Sequence, residues 1–208
     1  MQDYGLVSIG SHTGAWLKKD LENFKNKQNI LVEPVPYNIE ELKTNISNYK
    51  NIIIETSAIS NKDETIPFYY IKRDSIDKLK KHWASGIGSF NKNHLMSHKS
   101  KRFQISDEDI EEININCLSF ASLVKKYSIG SIDKLMMDVE GAEFKILNSL
   151  NLSAIKIKEI FFEKKHFDGY LKQGKKFQII KDKLEANNYI LKDIDKENIS
   201  ASLKKFTK

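Results

Sequence analysis

The chain has 208 residues, 40% hydrophobic and 30% charged with both signs interspersed, which suffices for one domain with a hydrophobic core and argues against wholesale disorder. Its net charge is +6, but of the 34 basic residues only Arg73 and Arg102 are arginine; lysine, asparagine and isoleucine all have AT-rich codons, so codon usage accounts for much of the charge and a nucleic-acid partner is not expected. No apolar run approaches the roughly 20 residues that span a bilayer, and the N-terminus lacks the charged-then-apolar layout of a secretory signal.

Apolar runs alternate with helical spacing along the first third of the chain. Residues 5–9 form a short apolar strand that breaks at Gly10. Leu17, Leu21 and Phe24, spaced four and three apart, predict a helix. Residues 29–33 are a second strand, ended by Pro34 and Pro36. Ile39, Leu42, Ile46 and Tyr49 mark the next helix face, and residues 51–55 a third strand. These strands are apolar on both faces, as in a parallel sheet covered by helices, and the alternation implies right-handed crossovers.

The middle is less regular. Ile66, Phe68 and Tyr70 alternate like an antiparallel strand. Residues 83–105 carry Gly86, Gly88, histidines and serines and predict a long loop; such loops in compact domains are usually functional or disordered. The pattern resumes with a strand over 113–117 and a short helix marked by Phe120, Val124 and Tyr127. Cys117, the one cysteine, has no internal disulfide partner and reads as a small buried hydrophobe, with a reducing cytoplasm as the expected compartment. A strand over 132–137 delivers Asp138, and a helix follows over 140–150. A further strand over 157–162, a helix marked by Phe177, Ile180 and Leu184, and an antiparallel pair over 189–194 and 201–206 close the chain. The expected fold class is α/β: a Rossmann-like, doubly wound, mostly parallel sheet with an antiparallel C-terminal strand. With no repeat or linker, residues 1–208 read as a single domain.

Ligands bind such sheets beyond the carboxyl ends of the strands. At the first end lies Ser8 to Gly14, SIGSHTG, where Gly10 and Gly14 let the backbone pass close to a ligand. His12 stands where a dinucleotide fingerprint needs glycine, which disfavours a nicotinamide dehydrogenase. Glu33, about 20 residues on, can accept both hydroxyls of a ribose. Asp138, Glu140 and Glu143 surround Gly141 at a strand-to-helix turn; capping a helix explains one or two of these acids but not three in this order. In the long loop, His94 and His98 are four apart and can share a helix face with metal-ligand spacing, although such histidines are more commonly solvated. Trp83 and Phe90 offer stacking faces for a sugar ring, and Ser89 and His94 are candidate substrate contacts.

The string Asp138-Val-Glu-Gly-Ala-Glu143, with Ile132 and Asp133 before it and Leu147 after it, resembles the hallmark of the FkbM family of methyltransferases. Other segments fall in the family's order. Ser8 to Gly14 resembles its glycine loop, Val32-Glu-Pro34 its ribose-binding strand end, and Ala58-Ile-Ser60 the segment flanking the adenine. Residues 86–95 resemble its Ser-containing loop, residues 117–120 the segment before its helix, and Glu163 with His166 its carboxylate–histidine strand end. The resemblance covers about residues 5–195. It implies S-adenosylmethionine as cofactor, held by Ser8, Gly10, His12, Thr13, Gly14, Glu33, Pro34, Ala58, Ile59, Asp138 and Glu140. It implies methyl transfer to an oxygen nucleophile on a sugar or other small-molecule or glycan acceptor.

Proton removal is then expected from Asp138, Glu163 and His166, directly or through a divalent metal such as Mg²⁺ or a softer ion. The chain departs from the family at Ser8, where an acid that orients the methionine part of the cofactor is usual, and at Met136, which replaces a common lysine. It also begins almost at the first strand, where relatives often carry a covering helical segment. These departures motivate a second expectation, a non-catalytic cofactor-binding module. The lysine content motivates a third, an RNA methyltransferase.

Overall fold

The computed structural model describes residues 1–169 and 171–206, the side chain of Phe206 apart. Strand β1 (Gln2–Ile9) leads through a 3-10 turn at Ala15–Leu17 into α1 (Lys18–Asn23), then β2 (Gln28–Val32), α2 (Pro36–Asn45) and β3 (Ile52–Glu55). Strands β4 (Ala58–Ser60) and β5 (Glu64–Ile71) follow, then helices α3 (Arg73–Leu79) and α4 (Lys92–Ser97) and strand β6 (Ile110–Ser119). The rest is α5 (Phe120–Lys126), β7 (Ile129–Met137), α6 (Glu143–Ser149), β8 (Lys156–Glu163), α7 (Lys175–Ala186), β9 (Tyr189–Asp193) and β10 (Asn198–Leu203).

The main sheet has seven strands in the order β3-β2-β1-β7-β8-β10-β9. Neighbours are parallel except around β10, which runs antiparallel to both β8 and β9. This is the class I, Rossmann-like methyltransferase arrangement expected from the sequence. From β1 the chain winds outward through β2 and β3, and later returns to the other side of β1 as β7, so the switch point lies between β1 and β7. Ile9 pairs with Met137, and Met137 with Phe162, which levels the ends of β1, β7 and β8 at one edge.

Both faces of the sheet are buried. Val7, Ile9, Ile30, Val32, Leu135 and Met137 join one core, while Leu6, Leu31 and Met136 turn to the other against Leu17, Leu21 and Leu42. That split follows the period of two along each strand, and each fully buried Leu or Ile contributes about 1.5–3 kcal/mol. Local signals fix the helix starts. Pro36 occupies the first turn of α2, and the Ser119 hydroxyl accepts the Ser122 N–H at the start of α5.

The structure corrects the reading of residues 83–105 as a loop. They form a 3-10 turn at His82–Gly86 and helix α4, tied to β5 through Tyr69 and Ser89. Ala84, Ile87, Leu95, Phe103 and Ile105 are buried around Ile71 and Ile76 in a small core of their own. Pieces this short establish no hydrophobic period, so the packing decides their shape. Two helix bounds also shift: α6 begins at Glu143, leaving Glu140 in the preceding turn, and Tyr49 lies beyond α2. Strands β4, β6 and β5 make a second, three-stranded sheet in which Cys117 is buried. Among the described residues no helix is long and apolar enough to cross a membrane.

Candidate active site

A cavity of about 560 Å³ opens at the carboxyl edge of the main sheet, within the range of small-molecule and cofactor sites. Its floor is made by the ends of β1, β2 and β7: Ile9 and Gly10, Val32 to Val35, and Asp138 to Glu140. Ala58 and Ile59 of β4, Phe68 of β5 and the segment around Ser85 to Phe90 form its walls. Trp16 and Trp83, the chain's two tryptophans, also line it, and both keep 41–48% of their surface exposed.

Gly10 allows β1 and β7 to close at the floor. It has φ +81°, and a Cβ there would stand 1.7 Å from the Asp138 carbonyl oxygen. Beside it, the Glu33 carboxylate accepts the backbone N–H of His12 at 2.8 Å, that of Val35 at 3.0 Å and the Asn38 amide at 3.3 Å. Asn38 also donates to the Ser85 carbonyl at 2.9 Å, and His12 Nε2 lies 2.6 Å from the Ser85 hydroxyl. One carboxylate thus ties the glycine loop to the start of α2. Burial pushes Glu33 up to about 7 and holds His12 below the usual imidazole range. Val35 and Asn38 both donate to Glu33 Oε1 and fill its lone pairs, while Oε2 takes only the His12 N–H and keeps one lone pair for a further donor.

The turn after β7 is held from inside. Buried Glu143 accepts the N–H groups of Val139 at 2.7 Å and Gly141 at 2.9 Å, and burial pushes its carboxyl up to about 8. Two left-handed residues, Glu140 at φ 51° and Gly141 at φ 105°, bend the chain there. Asp138, just before the bend, lines the cavity, and Glu140 within the bend reaches His94 and His166. Surrounding protein, with the charges of Glu163 and Glu140, pushes Asp138 up to about 7. Burial alone would raise Glu140, but hydrogen bonds from His166 and His94 and the charge of Lys165 hold it well below the ordinary carboxylate range. Burial likewise raises Glu163, against its 2.6 Å ion pair with Lys165. Burial opposes the charge on Lys165, yet Glu163 and Glu140 hold its ammonium above the usual range.

Of the sequence-predicted cofactor residues, Gly10, His12, Glu33, Pro34, Ala58, Ile59, Asp138 and Glu140 line the cavity together. Ser8, Thr13 and Gly14 do not. The pleat turns Ser8 to the Leu6 face, where it is fully buried, while Gly14 packs against Leu42 and Thr13 takes the Asn45 amide on its carbonyl. Of the catalytic set only Asp138 reaches the cavity lining; Glu163 and His166 stand behind it. Ser89 is buried, with its hydroxyl 3.4 Å from the Glu140 carbonyl, and His94 bonds the Glu140 side chain at 3.0 Å.

The expected metal set divides: Glu163 groups with Asp138 and Glu143, and separately with Glu140 and His166, donor atoms in each group lying within 4.8 Å of one another. Sequence reasoning missed Asn38, Ser85, Trp16 and Lys165. Asn38 carried the one available signal, a polar residue beside Ile39 on an otherwise apolar helix face.

The Methyltransferase FkbM domain model matches residues 8–191. The methyltransferase FkbM of Methylobacillus flagellatus KT superposes with a TM-score of 0.52 at 10% identity, covering 96% of this chain and 43% of its own. The fibrillarin pre-rRNA processing protein of Methanococcus jannaschii superposes with a TM-score of 0.50 at 13% identity, covering 98% of this chain and 67% of its own. At these identities the likeness is one of fold, and the chain spans less than half the length of the Methylobacillus protein. The comparison with curated proteins returns no match. With the family model covering residues 8–191 of the 208, the chain belongs to the FkbM family of methyltransferases.

Proposed function

We propose that the chain is an S-adenosylmethionine-dependent O-methyltransferase acting on a hydroxyl of a sugar or another small-molecule or glycan acceptor. The observation that carries this reading is one cavity with Glu33 at the end of β2 and Asp138 at the end of β7. The donor set suits the cofactor. Glu33 Oε2 accepts a ribose hydroxyl, and apolar Val35, Ala58 and Ile59 suit an adenine. The acids Asp138 and Glu140 suit the positive amine and sulfonium of the methionine part. When bound, S-adenosylmethionine supplies an electrophilic methyl group on a good leaving group.

The chain's task is to hold the acceptor oxygen in line and take its proton. Asp138 is the base we assign to that proton, because it is the member of the Asp138, Glu163 and His166 set that lines the cavity. Glu163 and His166 are positioning residues, setting the charge around Asp138 through Lys165 and Glu140. Exposed Trp16 and Trp83 offer flat apolar faces at the lining, which favour a sugar-ring acceptor.

Calorimetry with S-adenosylmethionine and S-adenosylhomocysteine tests the reading, with Glu33→Ala as control. Micromolar binding that weakens at least about tenfold in the variant is expected. A screen of hydroxylated acceptors for S-adenosylhomocysteine release follows, in which Asp138→Asn is expected to lose about 10²–10⁴ in rate while still folded. Equal cofactor binding in Glu33→Ala, or full turnover in Asp138→Asn, would overturn it.

A further inference from the structure

Three histidines from two distant parts of the chain converge on one carboxylate. His94 and His98 stand one helical turn apart along α4 and its C-cap, so both rings face the same way. His166 comes from the segment after β8. Glu140 comes from the left-handed turn after β7. His94 Nε2 lies 3.0 Å from Glu140 Oε2, His166 Nε2 lies 3.3 Å from the same oxygen, and His98 Nε2 lies 3.4 Å from His94 Nε2. The His94 and His166 rings meet edge to face at 4.8 Å.

Ordinary hydrogen bonding does not account for this set. An imidazole nitrogen offers one in-plane position, either a proton or a lone pair. His94 Nε2 has two partners at bonding distance, Glu140 Oε2 and His98 Nε2. If it donates to the carboxylate, it has no lone pair for His98; if it accepts from His98, it faces the carboxylate lone pair to lone pair. Protonating both rings sets two cations 3.4 Å apart. A metal ion held by both rings and the carboxylate would remove the conflict, because each donor then gives its lone pair to the ion.

The spacing fits. Zinc–nitrogen bonds of about 2.0–2.1 Å place the donors of a tetrahedral shell about 3.3–3.4 Å apart, and the touching pairs His94–His98, His94–Glu140 and His166–Glu140 stand at 3.4, 3.0 and 3.3 Å. A further acid stands beside the set: Glu163 Oε2, on a side chain only 7% exposed, has no hydrogen-bond partner among the described residues and lies 3.8 Å from His166 Nε2.

We infer that His94, His98 and Glu140, whose donor atoms lie within 4.8 Å of one another, form a binding site for a divalent transition metal of the zinc type, with His166, 3.3 Å from the same Glu140 oxygen, drawn in as a fourth donor when the ion binds. Imidazole-rich donors with one carboxylate select such an ion over Mg²⁺ or Ca²⁺, which prefer oxygen. His98 and Glu140 also line the cavity, so the ion would sit at its wall. Glu163 lies between this site and its own cluster with Asp138 and Glu143, grouping with Glu140 and His166 as well; the metal site does not depend on the methyl-transfer reading.

The test is a titration of the metal-stripped full chain with Zn²⁺ against a chromogenic chelator, and with Co²⁺, whose visible spectrum reports low-coordinate nitrogen ligation. Wild type is expected to bind one ion per chain with intense Co²⁺ bands. His94→Ala/His98→Ala is expected to lose more than the roughly 100-fold that removal of an outer-sphere partner costs, and Asp138→Asn to bind as wild type does. Circular dichroism checks that the variants fold, and His166→Gln gives a second, independent ligand deletion. Weak Co²⁺ bands in wild type, binding that survives both histidine variants, or loss confined to Asp138→Asn would overturn the assignment. Cofactor calorimetry on the stripped protein separates the two ideas: cofactor binding without metal binding sinks this site alone, and the reverse sinks the methyltransferase reading alone.

Discussion

Gly10 and Asp138 touch through their backbones: the Asp138 N–H donates to the Ile9 carbonyl at 3.0 Å, and a Cβ on Gly10 would stand 1.7 Å from the Asp138 carbonyl oxygen. The two strand ends that flank the switch point can therefore meet only if residue 10 lacks a side chain. Gly10→Ala meets two costs, a left-handed φ and a direct overlap with backbone that has nowhere to go. The variant is expected to lose at least about 2 kcal/mol of stability and to bind cofactor more weakly, read by urea unfolding and calorimetry. Wild-type stability would mean that the β1 and β7 ends are farther apart than described.

Glu143 makes the fold itself sensitive to pH. It is 1% exposed, and its carboxyl is raised from 4.5 to about 8. The folded protein therefore binds this proton more tightly than the unfolded chain does. The stabilisation is complete below about pH 4.5 and is lost as pH rises through about 8. At about 1.4 kcal/mol per unit, the loss is roughly 5 kcal/mol at most. Glu143→Gln cannot titrate, so the stability difference between wild type and variant is expected to shrink, or reverse, from pH 5 to pH 8.5. Urea unfolding of both proteins at the two pH values checks it; parallel curves would show that Glu143 keeps one protonation state throughout.

The contrast between these two positions shows what the sequence makes legible. Gly10 was readable as a glycine at a strand end, and the parallel strands were readable because Val7, Ile30 and Leu135 recur in short apolar runs. Glu143 was readable as an acid of the hallmark, but its role was not, because nothing local says that its carboxylate folds back onto Val139 and Gly141. The same limit applies to the histidines. The spacing of His94 and His98 was visible, yet α4 is too short to announce itself, and Glu140 meets them only through a left-handed turn. Asn38, Trp16 and Lys165 reach the cavity by chain crossings that no periodicity encodes.

Asp138 and Lys165 set the acid limb of the proposed reaction. Asp138 must be ionised to accept a proton, and its carboxyl is pushed up to about 7. The kcat/KM profile is expected to fall tenfold per unit below about pH 7 and to level off above it. Lys165 opposes that upward push on both Asp138 and Glu163. Lys165→Met is therefore expected to move the limb to higher pH while leaving the plateau closer to wild type. A limb that does not move would show that the titrating group lies outside the Asp138–Glu163 cluster.

Ser8 stands where relatives usually carry an acid, and its geometry predicts an outcome opposite to that of a cofactor ligand. Its side chain is fully buried, and its hydroxyl has no hydrogen-bond partner among the described residues. Leu31 and Met136 flank it in register on the neighbouring strands, and the cavity opens from the opposite face at Ile9. A buried hydroxyl without a partner costs about 1–3 kcal/mol of desolvation, whereas a methyl group in the same place has none to lose. Ser8→Ala is thus expected to leave affinity for S-adenosylmethionine unchanged and to stabilise the fold by up to about 1 kcal/mol, because part of the hydroxyl's penalty is offset by its van der Waals contacts. Calorimetry and urea unfolding on the one variant decide it. Weaker cofactor binding would mean that β1 rotates Ser8 toward the cavity when the cofactor enters, which would restore the role the family's acid holds at this position.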